Sequence, residues 1–217
     1  MKAILWDNDG VLVDTEELYF RATRELLAEL GVELGESDYI DISLRRGASC
    51  FDLARERGIG SALVEATRLR RNARYEDLLR EGVELIDGVS ETLHALRGLA
   101  RMAIVTSTRP EHFALLHDRT GIREHFELVL TGADYTLFKP DPQPYLLAAD
   151  RLGLRPTDCL VVEDTERGLE SATRAGMRCV VIPRGLSAGG DYSSAYRVLE
   201  RADELVPIVR ELAGISS

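Results

Sequence analysis

The chain has 217 residues, 45% of them hydrophobic and 29% charged, the ordinary mixture of a core-forming protein large enough for one α/β domain or a core with an insert. Its 37 acidic and 27 basic residues leave a net charge of −10, which argues against general nucleic-acid binding but leaves room for a small anion at a local cationic cluster. No apolar run nears the roughly 18 residues of a membrane span, and the N-terminus MKAILWDNDG does not read as a secretory signal.

In chain order, the first apolar run is AILW (3–6), and it reads as a buried strand. From Asp14 to about Val83 no strand-like run follows. Helical periodicity takes over, with Leu18, Ala22, Leu26 and Leu30 as one stripe and Leu63, Ala66, Leu69 and Ala73 as another. Strand-like runs then return at 102–105, 128–130, 160–162 and 179–182. Between them lie helical segments at 89–99, 110–119, 144–152 and 166–175, with Gly153 and Gly176 placed to stop the last two. This alternation predicts an α/β fold, a doubly wound parallel Rossmann-like sheet. The core would comprise residues 1–14 and 84–217, with an all-helical domain, 15–83, inserted after the first strand.

In such sheets ligands bind beyond the carboxyl ends of the strands. Those ends carry Asp7-Asn8-Asp9-Gly10, Thr106-Ser107 and Glu163-Asp164, with Lys139 in the Pro-rich loop FKPDPQP. Only one other lysine, Lys2, occurs in the chain. Four carboxylates drawn together need a cation, and oxygen-only ligands at a phosphate-sized site favour Mg²⁺. A lysine and a strand-end hydroxyl add donors for a phosphoryl group. The chemistry these residues assemble is displacement at phosphorus: one carboxylate attacks, its neighbour two residues on handles the proton, and a metal screens the charge.

The motifs DNDGVLVDTE, VTST, KPDPQPY and VVEDTERGLESATRAGM, in this order, resemble those of the haloacid dehalogenase-like superfamily. The helical insert resembles its type-1 cap, and the branch of β-phosphoglucomutase and phosphoglycolate phosphatase is the most similar. The resemblance implies Asp7 as a nucleophile that becomes an aspartyl-phosphate and Asp9 as the general acid and then base. It implies Thr106 and the Ser107 amide as holders of the phosphoryl oxygens, and Lys139 as the partner of Asp7 and the phosphate. Asp164 and Glu163 would complete a Mg²⁺ site with the Asp7 carboxylate and the Asp9 carbonyl. In the cap, the stretch 44–50 resembles a specificity loop, so Arg45, Arg46, Gly47 and Ser49 are candidate substrate contacts. The arginine expected after the serine is replaced by Cys50.

Asp9 argues against a dehalogenase, since a halide leaves without a proton. The interval 11–86 holds neither histidine nor lysine. This closes the cap-lysine Schiff-base route and removes the hinge histidine and cap lysine of the mutases. The expectation is a Mg²⁺-dependent phosphatase of a small phosphorylated metabolite, a sugar phosphate or phosphoglycolate. The alternatives are a phosphomutase and a catalytically silent phosphate binder. It would be monomeric and cytoplasmic, with no nucleic-acid or membrane partner. Cys50, Cys159 and Cys179, odd in number and widely spaced, suit a reducing compartment and read as buried filler. Asp14 reads as a helix cap, the four histidines as surface residues, and Arg68, Arg70, Arg71 and Arg74 as a solvated helix face. Asn8 stands where the family carries an apolar or aromatic residue, which questions the packing behind Asp7.

Overall fold

The computed structural model describes residues 1–215. Six parallel strands form one sheet: β1 (Ala3–Trp6), β2 (Arg101–Val105), β3 (Leu128–Leu130), β4 (Cys159–Glu163), β5 (Arg178–Val181) and β6 (Arg197–Val198). Their spatial order is β3-β2-β1-β4-β5-β6. Successive strands are added to one side of β1 as far as β3 and to its other side from β4 on, so the crevice between β1 and β4 is the topological switch point where such sheets bind ligands.

Alternate residues of β1 face opposite sides, as the two-residue period of a strand demands. Ile4 and Trp6 join a core with Leu93 and Leu96 of α5 (Val89–Leu96), Phe113 of α6 (Pro110–His117) and Val209 of α9 (Leu205–Ala213). Ala3 and Leu5 join a second core with Tyr145 and Ala148 of α7 (Gln143–Arg151) and Leu169 and Ala172 of α8 (Glu166–Arg174). Helices therefore cover both faces, as the alternation predicts. The sequence pattern misses β6, because both its residues are exposed and it carries no apolar run.

Between β1 and β2 lie α1 (Glu16–Glu29), α2 (Glu36–Tyr39) running into a π-helical turn at Ile40–Arg45, α3 (Asp52–Glu56) and α4 (Ser61–Glu81). They share a core that includes Phe20, Leu27, Tyr39, Phe51, Ala54 and Val64. The first expected stripe buries Ala22 and Leu26 and half-buries Leu18 and Leu30. The second stripe fails: Leu63, Ala66, Leu69 and Ala73 all face outward. The inward face of α4 carries Val64, Thr67, Arg71, Asn72, Tyr75 and Leu78. Arg71, Asn72 and Tyr75 of this face line a cavity, so hydrophobicity alone selects the wrong side. No described helix is long and apolar enough to cross a membrane.

A smaller cluster ties this helical segment to the sheet layer, with Tyr75, Leu78 and Leu79 of α4 against Val13 and Leu116. Leu78 is 1% exposed. Leu78→Ala is expected to cost about 2–5 kcal/mol, read as a lower urea midpoint at unchanged slope.

Candidate active site

Asp7 follows β1 directly, and its amide still bonds Val162 of β4 at 2.9 Å. The chain then turns sharply, so that the Asn8 carbonyl receives the amides of Leu12 and Val13 at 2.8 and 3.2 Å. Gly10 sits in the turn at φ +82°, and a Cβ there would lie 2.2 Å from Asp164 Oδ2. Glycine supplies both the left-handed backbone and the room for a carboxylate to approach.

Lys139 reaches this edge from the loop after β3 and is 3% exposed. Its Nζ donates to Asp7 Oδ1 at 2.5 Å, Glu163 Oε1 at 2.7 Å and the Val105 carbonyl at 3.0 Å. Burial opposes the charge, but Asp7 and Glu163 outweigh it and hold the ammonium above the usual lysine range. Burial pushes the Asp7 carboxyl up to about 7 against the pull of Lys139. Asp164 is held well above the usual carboxylate range by burial and by Glu163 and Asp7 beside it.

Glu163 is fully committed. Oε1 accepts from Lys139 and, at 2.6 Å, from the Tyr145 hydroxyl, while Oε2 accepts from the Asp164 amide at 3.1 Å and Thr165 Oγ1 at 3.3 Å. A Cβ on Gly168 would lie 1.9 Å from the Glu163 carboxyl carbon, so the first turn of α8 must be bare to seat it. The Asp164 carboxylate takes no hydrogen bond among the described residues. Oxygens of Asp7, Glu163 and Asp164 lie within 4.8 Å of one another. One ammonium among three buried carboxylates leaves excess negative charge, and the all-oxygen donor set fits a hard divalent cation. With the acceptors of Glu163 filled, Asp7 and Asp164 are the carboxylates free to hold it.

The Asp9 carboxylate lies within reach of three threonine hydroxyls. It accepts from Thr15 at 2.6 Å, from Thr106 at 3.2 Å and from Thr108, and the Asn8 amide donates to it at 3.3 Å. Thr106 Oγ1 also receives the Thr108 amide at 3.0 Å. Ser107 Oγ is buried with no partner among the described residues. Thr108 closes the VTST motif, but the resemblance assigns it no role, and its bond to Asp9 is seen only in the structure.

A cavity of about 510 Å³ separates this edge from the helical segment. It is lined by Asp7, Asp9, Thr106, Ser107, Lys139, Glu163 and Asp164 below, and by Gly47 and Ser49 on the facing loop. Arg45 and Arg46 are not in it, contrary to the expectation from the specificity loop. Arg45 pairs with Glu166 at the start of α8 at 2.7 Å and Arg46 with Asp41 at 2.9 Å, so both guanidiniums are taken up outside the cavity. Besides Lys139, the cavity's cations are Arg71 and Arg167, with Arg68 and Arg109 also on its wall, the latter 3.5 Å from Glu111. Arg68, Arg70 and Arg74 pair with Glu65, Glu29 and Glu25 as a solvated face would. Arg71 is a correction to that reading. It is 6% exposed, donates to Thr23 Oγ1 at 3.0 Å and Asn72 Oδ1 at 3.1 Å, and lies over the Tyr19 ring. Its contacts are all neutral. Glu16, bonded by the Tyr39 hydroxyl, completes the wall.

Two further readings need correction. Asp14 does not cap α1. Thr15 holds the cap position but turns its hydroxyl to Asp9, and Asp14 lies exposed, 3.8 Å from Arg184. His112 and His117 are buried, unlike His94, because α6 packs beneath α4 and behind Asp7. His117 Nε2 lies 2.6 Å from the Asn8 side-chain oxygen, which explains how a buried asparagine is tolerated there. The cysteines are buried as expected. Burial pushes the Cys50 thiol, on the cavity wall, up to about 11.

Burial also lowers the His117 imidazole from 6.5 to about 4. Between those values the unfolded chain binds a proton that the native chain does not, so acidification favours unfolding. Wild type should lose up to about 3 kcal/mol more stability than His117→Gln on going from pH 7 to 4, measured by urea unfolding at each pH. Equal pH slopes for the two proteins would show that the imidazole is not held neutral. Gly168→Ala should displace Glu163 and release Lys139, seen as lost activity together with a lower unfolding midpoint.

The model of the haloacid dehalogenase-like hydrolases matches residues 1–176. The chain is 32% identical over 207 residues to Protein CbbY of Rhodobacter capsulatus, covering 90% of this chain and 91% of that one. It is 30% identical to the phosphorylated carbohydrates phosphatase of Thermotoga maritima, covering 98% of this chain and all of the other. The solved structure of a CbbY variant from Rhodobacter sphaeroides in complex with xylulose-1,5-bisphosphate superposes with a TM-score of 0.80 at 26% identity, over 94% of this chain and 96% of that one. Matched along four fifths of its length by the family and along nearly all of it by these relatives, the chain belongs to the haloacid dehalogenase-like hydrolases.

Proposed function

We propose that the protein is a Mg²⁺-dependent phosphatase that hydrolyses a small phosphorylated metabolite through an aspartyl-phosphate on Asp7. The observation that carries this reading is the Asp7 carboxylate, fixed by Lys139 beside Asp164 at the floor of the cavity. Asp7 attacks the phosphorus with its free oxygen, the ester P–O bond breaks, and Asp9 gives its proton to the departing oxygen. Asp9 then takes a proton from water as that water attacks the aspartyl-phosphate, which releases inorganic phosphate and restores Asp7. Lys139 neutralises Asp7 as the phosphoryl group arrives, and Thr106 with the Ser107 amide holds the phosphoryl oxygens. Asp7, Asp164 and the Asp9 carbonyl would hold Mg²⁺, which supplies charge screening between the carboxylates and the phosphoryl group. The helical segment 15–83 serves as a cap over the core formed by 1–14 and 84–217, with Thr15 giving it a direct hold on Asp9.

The cavity wall supports a substrate with a second anionic group, a bisphosphate or a phosphorylated acid. Arg71 is buried and Arg167 has a buried Nε, and no carboxylate bonds either side chain among the described residues. Asn72 Nδ2, beside Arg71, is another buried donor without a partner. Buried cations and donors are costly unless something pairs them, and here all of them border one cavity. The bisphosphate in the CbbY complex supports the same reading.

Asp7→Asn should fold but retain less than about a thousandth of kcat, and retention of more than about a tenth, a barrier change of only about 1.4 kcal/mol, would overturn the covalent route. Chelation should abolish turnover and Mg²⁺ restore it. Asp164→Ala should weaken Mg²⁺ binding more than Glu163→Gln. Arg71→Ala and Arg167→Ala should each lower kcat/KM about 30-fold or more for a sugar bisphosphate. p-Nitrophenyl phosphate, which reaches only the floor of the cavity, should change less than about 2-fold. Equal losses on both substrates would remove the second anionic group from the reading.

A further inference from the structure

Behind the Asp7 edge runs a polar chain that the proposed hydrolysis leaves unused. Asn8 has no exposed surface, and its side chain lies between the Asp9 carboxylate and the His117 ring, Nδ2 at 3.3 Å from Asp9 Oδ2 and Oδ1 at 2.6 Å from His117 Nε2. A carboxylate only accepts, so the amide must present its NH₂ to Asp9 and its oxygen to the imidazole. That oxygen also only accepts, so His117 carries its proton on Nε2. Nδ1 is then left to accept from the Thr120 hydroxyl, 3.0 Å away. Each link has a single direction: Thr120 donates to His117, His117 to Asn8, and Asn8 to Asp9. The Phe113 ring packs on the imidazole, 4.6 Å between centroids, and fixes its place.

We propose that His117 is a positioning residue for Asp9, acting through the Asn8 amide. Its Nε2–H locks the amide in the one orientation that donates to the carboxylate. Without that lock the amide can turn over and set its oxygen against Asp9. Asp9 Oδ2 is thus held from behind by Asn8 while Thr106 and Thr108 hold it from the cavity side. An apolar residue at position 8 could not do this, so the departure of Asn8 from the family pattern and the burial of His117 are one feature. The inference rests on Asp9 acting as the acid that protonates the leaving oxygen.

The test is kcat/KM over a series of phosphate monoesters, from alkyl phosphates with poor leaving groups to p-nitrophenyl phosphate. This parameter runs up to departure of the leaving group and so isolates the step in which Asp9 gives its proton. His117→Leu and Asn8→Leu should each lower kcat/KM about 10-fold for alkyl phosphates and less than about 2-fold for p-nitrophenyl phosphate. The double variant should lose no more than either single one, because both break the same chain. His117→Gln, which keeps an N–H donor, should stay within about 2-fold of wild type. If His117→Leu fails to fold, Asn8→Leu and the double variant carry the test, since the double leaves neither Asn8 nor His117 to be satisfied. Losses uniform across leaving groups, or losses that multiply in the double variant, would overturn the positioning role. Asp9→Asn separates the two readings. If it shows no leaving-group dependence, the acid role fails and takes this proposal with it. If it does and His117→Leu does not, only the positioning role is lost.

Discussion

The structure around the active edge depends on one buried ammonium among carboxylates that would otherwise repel each other. Lys139 is the only lysine near the sheet edge, and it touches both Asp7 and Glu163. Breaking such a pair on one side leaves a bare charge in the interior, at a cost of about 3–5 kcal/mol. The surrounding residues follow from keeping it intact. Glu163 ends β4 rather than starting a loop, so the strand fixes its direction. Tyr145, Thr165 and the Asp164 amide fill its remaining acceptors. Gly168 stays bare because any side chain would occupy the volume of the Glu163 carboxyl group. One carboxylate of the acidic pair has its acceptors filled and its neighbour has none filled. Glu163 therefore positions Lys139, and Asp164 is left open toward a cation.

The topology explains why these groups can meet at all. Asp7 and Asp164 stand at the ends of adjacent strands, where helices leave toward opposite faces and no crossover covers the edge. The close approach of the two ends needs Gly10, since a Cβ would collide with Asp164. Lys139 arrives from the loop after β3 and bonds the carbonyl of Val105, the last residue of β2. A charge carried that far over a sheet must be anchored by its backbone as well as by its partners.

Much of this was legible in the residues. The strands follow from short continuous apolar runs, the long helical interval from a period of 3.6, and the candidate acids from standing where the runs stop. The unread parts share one physical cause, namely burial of polar residues. The inward face of α4 carries Thr67, Arg71 and Asn72, so the apolar stripe pointed to the exposed side. His112 and His117 look like surface residues in sequence, yet they lie under α4 and behind Asp7. Arg45 and Arg46 sit in the expected loop but are taken up by Glu166 and Asp41, partners that spacing does not record. The one available hint was Asn8. A polar side chain directly behind a buried strand end needs a partner, and a histidine elsewhere is a natural one.

The arginines show how an acidic protein can still recruit an anion. Most of its cations are exposed, and many are already matched: Arg70 with Glu29, Arg74 with Glu25, Arg101 with Glu127. Such pairs are solvated and contribute little field at a distance. Arg71 is buried and Arg167 half-buried with its Nε enclosed, and no carboxylate hydrogen-bonds either among the described residues, although Glu16 lies near Arg167. Inside a cavity walled by aromatic rings their charge is screened less, so two residues weigh more there than the net charge of −10 does outside. One comes from the helical segment and one from the first turn of α8. In the proposed reading, an anion bridging them would tie the two layers to each other over Asp7. Binding energy at the far end of such a substrate would then be available to hold the helical segment over Asp7, which is how a remote group can raise the rate as well as the affinity.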